Sequence, residues 1–210
     1  DDVGWARPSP GAGWDGADVV LHLIQTNEMA EASAADRLDE FYGRMLADAR
    51  PAADVDDGAA AMVEAGRGAP PAVLLDRWVA GATRLTDALK EDDARRRVAW
   101  VAGTLTVRTL ATTRLAETWI HTGDVADAVG GALAPTDRLK PIARLAWRTL
   151  PYAFQRAGRE LSGPVAFDLS APDGRSWAFV PDEPAATTVS GPAIDLCRVL
   201  RFLHSRRILH

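Results

Sequence analysis

Glu117 and His121 lie four residues apart in the segment TRLAETWIHTGDVADAV, which contains no proline and a single glycine. On a helix, residues with this spacing lie about 40° apart on the same face. His22 lies far upstream in VVLHLIQTNE, a second segment with an apolar helical pattern. Two histidines and one carboxylate form the ligand set of a catalytic zinc ion that keeps one coordination position open. The three residues therefore predict a metal enzyme, provided that the two helices pack together.

The Glu-x-x-x-His spacing alone is weak evidence, because polar residues often fall four apart on a solvated helix face. The neighbours of the pair are apolar, however: Leu115, Ala116, Trp119 and Ile120. A buried imidazole or carboxylate must find a partner or a metal ion, and the same holds for His22. One histidine on an apolar face is usually a hydrogen-bonded core residue, but three such groups on two helices are better explained by one shared ion.

Two further residues near the pair are candidates for catalysis. Asp124 follows His121 by one turn and could orient its imidazole through the second ring nitrogen; a surface or capping role explains it equally well. Arg114 precedes Glu117 by one turn and could pair with that carboxylate or with an anionic substrate. An exposed helix arginine is the alternative.

The composition limits the class of protein. The chain has 210 residues, of which 47% are hydrophobic and 25% charged, and these fractions are typical of a soluble globular protein. No run of about 18 apolar residues is present, so we expect no membrane span. The net charge of -5 argues against nucleic-acid binding. We expect a small-molecule substrate, and the oligomeric state stays undetermined.

Cys197 is the only cysteine, so no intramolecular disulfide can form. No signal peptide is recognisable before the first predicted helix, and we therefore expect a cytoplasmic protein. Cys197 lies in an apolar helical pattern, which favours an inert packed thiol over a nucleophile.

Several helices are predicted in the first two thirds of the chain. Residues 1–14 are rich in proline and glycine and predict a loop whose tryptophans, Trp5 and Trp14, pack over a core. Asp15 is a suitable N-cap for the next helix, with Asp18 at its third position. Pro51 and the DVDDG stretch end this segment, which therefore contains one long helix or two in series.

The sequence pattern predicts three more helices. A short one is expected over 59–68, and a longer one over 73–91 after Pro70 and Pro71. Its packing face is predicted to hold the following side chains: Leu74, Leu75, Trp78, Leu85 and Leu89. After an interruption at Gly103, a long helix is expected over 105–129, with a stop at Gly130 and Gly131. Three long amphipathic helices are thus visible, one fewer than in a four-helix bundle.

The last third of the chain has a different character. A helix near 139–158 precedes three β-like runs, PVAFDLSA, RSWAFVP and ATTVSG. Asp173 and Gly174 between the first two runs are typical of a hairpin turn. A final helix is expected after Gly191 and Pro192. This region therefore predicts a small α+β domain.

Four stretches of the sequence resemble one known family. The stretches are GWDGADVVLHLIQTNEMA, TVRTLATTRLAETWIHTGDVADAVG, SAPDGRSWAF and SGPAIDLCRVL. Together they resemble the mycothiol-dependent maleylpyruvate isomerases, within the DinB-like superfamily of metal-binding helical bundles. The resemblance implies an α+β fold, with a DinB-like up-down helical bundle over residues 1–133 and a small α+β C-terminal domain over 134–210. The family has a further helix before the GW loop, so we expect that this helix lies outside the given sequence or that the bundle is completed differently.

The resemblance also implies a site. In that family a divalent metal, usually zinc, is held by residues that correspond to His22, Glu117 and His121. Mycothiol, a low-molecular-weight thiol, is the implied cosubstrate, and the metal would stabilise its thiolate. Substrate-binding candidates are Gln25 and Met29 on the His22 face, Trp119 near the pair and, because family substrates are acidic, Arg108 and Arg198. A methionine at the spacing of Met29 is more often a simple core residue.

Three functions are compatible with this sequence. The first is a metal-dependent isomerase or thiol S-transferase that activates a thiol or a substrate carbonyl. The second is a thiol-independent isomerase or cyclase of secondary metabolism on the same scaffold, with Trp14 and Trp119 against a bulky apolar substrate. The third is a non-catalytic protein in which the same ligands hold a structural ion.

Overall fold

The computed structural model describes residues 2–10, 13–45, 47, 52–101 and 103–207. The chain divides into two compact units, one formed by residues up to 133 and the other by residues 134–204. Helices and small sheets occur together, so the α+β class is confirmed. No helix in these described ranges is both long and apolar enough to cross a membrane.

The first unit is built mainly from helices. Its elements are α1 (Asp2–Trp5), α2 (Gly16–Ala34), α3 (Leu38–Met45), α4 (Val55–Gly66), α5 (Pro71–Glu91), β1 (Arg97–Trp100), β2 (Gly103–Thr106) and α6 (Val107–Ala128). Helix α1 is a single turn within the segment that we predicted as a loop. Helices α2 and α3 follow each other in series, as one of the two predicted alternatives.

The start of α2 is fixed by local chemistry. The Asp15 carboxylate accepts a hydrogen bond from the backbone N–H of Asp18 at 2.9 Å, and the Asp18 side chain accepts one from the N–H of Asp15 at 3.3 Å. This reciprocal capping box satisfies two backbone donors that the first helical turn leaves free. The predicted N-cap is confirmed.

Three expectations about the first unit were wrong. Helix α4 begins at Val55, inside the stretch predicted as a break, because Asp54 caps it by accepting from the N–H of Asp57. Leu105 and Thr106 were predicted to begin the long helix but lie in β2, which pairs antiparallel with β1 and places Leu105 opposite Val98. Strands of four residues are too short for a clear alternation. Leu75 is 48% exposed, whereas Leu74 beside it is buried.

Helix α2 is the centre of the first unit and packs against α3, α4, α5 and α6. One side of α2 forms a core cluster of Trp14, Val19, Leu21, Ile24, Val63 and Leu74. Helices α2 and α4 lie close together at Gly66, where a Cβ atom would lie 2.8 Å from Gln25 Nε2. The central position of α2 places His22 opposite α6.

The second unit follows the predicted order of elements. It contains α7 (Leu139–Arg156), β3 (Val165–Ser170), β4 (Ser176–Phe179), β5 (Thr187–Pro192) and most of α8 (Ala193–Arg207). The sheet order is β4-β3-β5, with β3 antiparallel to β4 and parallel to β5. The turn at Asp173 and Gly174 joins β3 to β4, which confirms the predicted hairpin.

Candidate metal centre

The structure brings the three predicted metal ligands together between α2 and α6. Glu117 Oε2 lies 3.7 Å from His22 Nε2 and 3.6 Å from His121 Nε2. One ligand atom from each residue lies within 4.8 Å of the others. Because Glu117 and His121 are one turn apart on α6, the helix presents both to the same point, and α2 supplies the third group.

His22 is buried, and the side chains around it leave its imidazole without a hydrogen bond. Its residue is 5% exposed, and neither ring nitrogen has a hydrogen-bond partner among the described residues. Burial lowers the pKa of His22 to about 4, even though Glu117 acts in the opposite direction. The imidazole is therefore neutral at pH 7, as a metal ligand must be.

His121 has a different environment because it contacts two carboxylates. Its Nδ1 lies 2.9 Å from Asp124 Oδ2, and both side chains are almost fully buried. Burial lowers the pKa of His121, but the hydrogen bond with Asp124 and the interactions with Glu117 outweigh it and raise the pKa to about 9. The contact with Asp124 directs the other nitrogen, Nε2, towards Glu117 and His22.

These residues fit a divalent metal ion. Ligands about 2.0–2.2 Å from a tetrahedral zinc ion stand roughly 3.4 Å apart, close to the separations between Glu117 and the two histidines. A buried imidazole with both nitrogens unsatisfied is costly, and a metal would satisfy one of them. The Glu117 side chain retains 23% exposure, whereas those of the two histidines are buried.

Trp14 packs beside the cluster, whereas from the sequence it was predicted only to pack over a core or against a bulky apolar substrate. Its ring centroid lies 5.1 Å from that of His22 and 6.5 Å from that of His121. Trp14 immediately precedes the N-cap Asp15 and shares a core cluster with Val19, the contact typical of a hydrophobic staple. This local pattern could have indicated that Trp14 packs onto the start of α2. Its contact with both histidines depends on how α2 and α6 pack together.

Arg114 is buried next to the cluster without a carboxylate partner. Its Nε donates to Asn27 Oδ1 at 3.2 Å and its Nη2 donates to Thr26 Oγ1 at 2.8 Å. These bonds use two of five N–H donors, and no carboxylate of the described residues lies within 4 Å. Burial lowers the pKa of Arg114, and Glu117 acts in the opposite direction. The predicted exposed arginine and the predicted ion pair with Glu117 are both wrong, since α2 covers this side chain.

The five substrate-binding candidates have different surroundings. Gln25 is buried and donates to the carbonyl of Met62 at 2.8 Å, and Met29 lies in a core cluster with Phe41.

Trp119 lies about 160° round α6 from Glu117. Arg108 is exposed about 13 Å before Glu117 along α6. Arg198 is exposed on α8 and pairs with Asp195 at 3.3 Å. Their roles in substrate binding remain predictions.

The fold and the site define a class of helical-bundle protein in which α2 and α6 carry three converging side chains that could hold a metal ion. Residues 1–126 match the family described as "Mycothiol maleylpyruvate isomerase N-terminal domain". The chain belongs to this family, and the resemblance noted from the sequence is confirmed.

Two kinds of relative accompany this match. Two uncharacterized proteins from two strains of Mycobacterium tuberculosis are each 36% identical over 194 residues, which is 92% of this chain and 74% of theirs. The crystal structure of a mycothiol-dependent maleylpyruvate isomerase is similar with a TM-score of 0.59 and 18% identity, covering 94% of this chain and 78% of that one. A variant of that isomerase, with one histidine changed to alanine, is similar with a TM-score of 0.58. These similarities establish a common fold.

Proposed function

We propose that this protein is a metal-dependent enzyme that uses mycothiol to isomerise an unsaturated acid, with His22, Glu117 and His121 as the metal ligands. The convergence of these three side chains at one buried point carries the proposal. Family membership supports mycothiol as the thiol. The described residues supply three ligands, and three protein ligands leave a coordination position for a reactant.

Zinc suits this donor set, since two imidazoles and a carboxylate are common ligands of catalytic zinc. When bound, a divalent ion would supply a thiolate at neutral pH by stabilising its negative charge. Asp124 would hold the His121 ring in place through Nδ1. Trp14 would exclude water from one side of both imidazoles.

The proposed reaction balances without a further reactant. The thiolate sulfur adds to one carbon of a conjugated cis double bond, and the π electrons move towards the adjacent carbonyl. The resulting single bond can rotate, after which elimination of the thiolate restores the double bond in the trans form. Buried Arg114, which lacks a carboxylate partner, would hold an acidic group of the substrate during this rotation. Low-molecular-weight thiols stay reduced in the cytoplasm, where we place the reaction.

A thiol S-transferase is the second candidate, because the same centre would present the thiolate to another electrophile. The partial exposure of the Glu117 side chain and the set of three ligands support either enzyme over a structural ion, which is usually enclosed by four protein ligands. The two enzymes differ in the fate of the sulfur–carbon bond, which is transient in an isomerase and retained in a transferase.

The test combines metal analysis with thiol binding and turnover. Metal content is measured by elemental analysis on the zinc-reconstituted protein and on Glu117→Gln. Mycothiol is then titrated by calorimetry, and maleylpyruvate isomerisation is followed by absorbance. We expect one metal per chain, saturable thiol binding and isomerisation in the wild type, and loss of all three in Glu117→Gln.

Glu28→Gln is the matched control, because Glu28 also lies on a helix but forms a surface ion pair with Arg77 at 3.1 Å. It should retain the metal, the thiol and the activity. A wild type that takes up no metal on reconstitution would contradict the proposed site. Metal uptake without thiol binding would contradict the use of mycothiol.

A further inference from the structure

The buried guanidinium of Arg114 uses only one of its edges to contact α2. Its Nε donates to Asn27 Oδ1 at 3.2 Å, and its Nη2 donates to Thr26 Oγ1 at 2.8 Å. An arginine has five N–H groups, so two on Nη1 and one on Nη2 remain. Nη1 makes no hydrogen bond to a residue that the structure describes, yet unlike the ring nitrogens of His22 it is not fully enclosed. The terminal edge of Arg114, formed by Nη1 and Nη2, therefore keeps donors for a ligand.

The two acceptors that α2 offers to Arg114 are neutral. Asn27, the single asparagine of the chain, contributes an amide oxygen, and Thr26 contributes a hydroxyl. Removing a cation from water is costly unless an anion compensates its charge. Arg114 is 5% exposed, and no carboxylate of the described residues lies within 4 Å of it. The positive charge of Arg114 therefore remains available to an anion that is not part of the chain.

Arg114 and its two partners lie about one helical turn from the metal-ligand candidates. On α6, Arg114 precedes Glu117 by three residues, and on α2, Thr26 follows His22 by four. The Thr26 hydroxyl also donates to the His22 carbonyl at 2.8 Å, so it joins the arginine to the turn that carries a metal-ligand candidate. The terminal edge of Arg114 and the proposed metal centre therefore belong to the same part of the α2–α6 interface.

From these contacts we infer that Asn27 and Thr26 make the site specific for acidic substrates by positioning Arg114. Their neutral acceptors hold one edge of the guanidinium and leave its charge and its terminal edge for a substrate carboxylate, which can accept two parallel hydrogen bonds there. This inference rests on the proposed function, in which Arg114 holds an acidic group of the substrate. Asn27 and Thr26 act through Arg114 and are positioning residues.

A purely structural contact between α2 and α6 would respond differently to a carboxylate at position 27. Asn27→Asp would replace a neutral acceptor with a charged one, so it would strengthen the contact with Arg114. If the contact only joins the two helices, this change should stabilise the fold and leave ligand binding unaltered. If Arg114 serves an anion, the new ion pair should cancel its charge and weaken anion binding while the fold is retained. Asn27→Asp therefore distinguishes the two roles.

The test measures binding of maleate, a short dicarboxylate, together with the kinetics of maleylpyruvate isomerisation. Maleate is titrated by calorimetry into the zinc-loaded wild type and into zinc-loaded Asn27→Asp, and denaturant titration gives the stability of both. We expect Asn27→Asp to weaken maleate binding about tenfold and to raise the KM for maleylpyruvate by a similar factor. Zinc content, mycothiol binding and kcat should change by less than about twofold, because Arg114 acts on substrate binding.

Thr26→Val and Thr26→Ser form a second pair of variants that adds no charge. The valine keeps the shape of the side chain and removes the acceptor of Arg114 Nη2, whereas the serine keeps a hydroxyl. We expect Thr26→Val to weaken maleate binding about fivefold and Thr26→Ser to lose little affinity. If circular dichroism shows that Asn27→Asp does not fold, the difference between the valine and the serine decides the outcome.

Matched controls lie away from Arg114. Gln155→Glu makes the same change of charge at an exposed position of α7. Thr86→Val removes an exposed hydroxyl on α5 that donates to a carbonyl of its own helix, as the Thr26 hydroxyl does. Both controls should bind maleate and convert maleylpyruvate as the wild type does.

The outcomes separate this inference from the proposed function. Weaker maleate binding in Asn27→Asp, with unchanged controls, supports the inference. A more stable Asn27→Asp with unchanged maleate binding and KM, or a wild type that binds no maleate, would overturn it; mycothiol-dependent isomerisation by the wild type would then still support the proposed function. A wild type that binds maleate but isomerises no maleylpyruvate with mycothiol would overturn the proposed function, and weaker maleate binding in Asn27→Asp would still support the positioning of Arg114.

Discussion

The interiors of the two units differ in what they bury. In the first unit, helices α2 and α6 carry nine buried polar or charged side chains: Asp18, His22, Gln25, Thr26, Asn27, Ser33, Arg114, His121 and Asp124. In the described part of the second unit, the buried side chains are apolar or a thiol: Leu139, Ile142, Ala143, Ala166, Phe167, Leu169, Ala171, Trp177, Phe179, Ala193 and Cys197.

Burying polar groups costs free energy, whereas burying apolar groups stabilises the fold. Some polar groups on α2 and α6 have partners, such as Asp18 with Arg67, but His22 and Arg114 are incompletely satisfied. Such groups are expected where function overrides stability. The α2–α6 interface is therefore the part of the molecule suited to ligand chemistry, whereas the interior of the second unit has mainly a packing role.

The largest contrast is expected between His22→Leu and Leu169→Ala. His22→Leu should reduce metal binding below detection, yet leave the metal-free protein as stable as before or about 1 kcal/mol more stable, because an unsatisfied imidazole is replaced by an apolar group. Leu169→Ala should retain the metal and lose about 2–5 kcal/mol of unfolding free energy. Elemental analysis and denaturant titration measure both. A large loss of unfolding free energy in metal-free His22→Leu would contradict this difference between the two interiors.

A smaller loss is expected from Asp124→Asn, which keeps the shape of the side chain but removes its charge. Because Asp124 contacts His121 Nδ1 at 2.9 Å and orients the ring, metal affinity should fall by about 10–100-fold. Competition with a chromophoric zinc chelator gives the affinity. Asp127→Asn, three residues further along α6, is the control, and equal affinities for the two variants would exclude the orienting role.

Arg114→Met should affect substrate more than metal. The methionine is similar in length and removes a buried charge that lacks a carboxylate partner, so the fold should be retained. We expect the KM for maleylpyruvate to rise about tenfold or more, since a charge-assisted contact is lost. Steady-state kinetics at saturating mycothiol measures this. An unchanged KM would place the acidic group of the substrate elsewhere.

Metal binding should depend on pH through His121. A ligand imidazole must be neutral, and the pKa of His121 is raised to about 9, so metal must displace a proton from it at pH 6–8. The pKa of His22 is about 4, so His22 is already neutral in this range. Zinc affinity should therefore rise about tenfold per pH unit from 6 to 8. Calorimetry in buffers of different ionisation enthalpy counts the protons, and release of no proton at pH 7 would disprove the expected charge on His121.

The smallest effect is expected from Cys197→Ala in the second unit. Burial raises the pKa of the Cys197 thiol to about 12, so the thiolate is scarce at neutral pH. Metal content and mycothiol-dependent activity should match the wild type, and the wild-type thiol should react slowly with iodoacetamide. Loss of thiol-dependent turnover in Cys197→Ala would make this cysteine, rather than the cosubstrate, the nucleophile.

Much of the fold follows from local patterns in the sequence. The Asp15 cap, the long helices α5 and α6, the turn at Asp173 and Gly174 and the final helix were all predicted. These features depend on neighbouring residues and on helical or strand periodicity. The β1–β2 hairpin was missed because four-residue strands carry little periodicity.

The sequence by itself determined that Glu117, His121 and Asp124 share a helix face, because their spacing fits the helical repeat. It also singled out His22 as a polar residue in an apolar segment. Only the tertiary structure decided that Glu117 lies 3.7 Å from His22, that α2 covers Arg114, and that Trp14 packs against both histidines. Contacts between distant segments depend on how helices pack, and helical periodicity specifies which face is buried but not which residues meet across it.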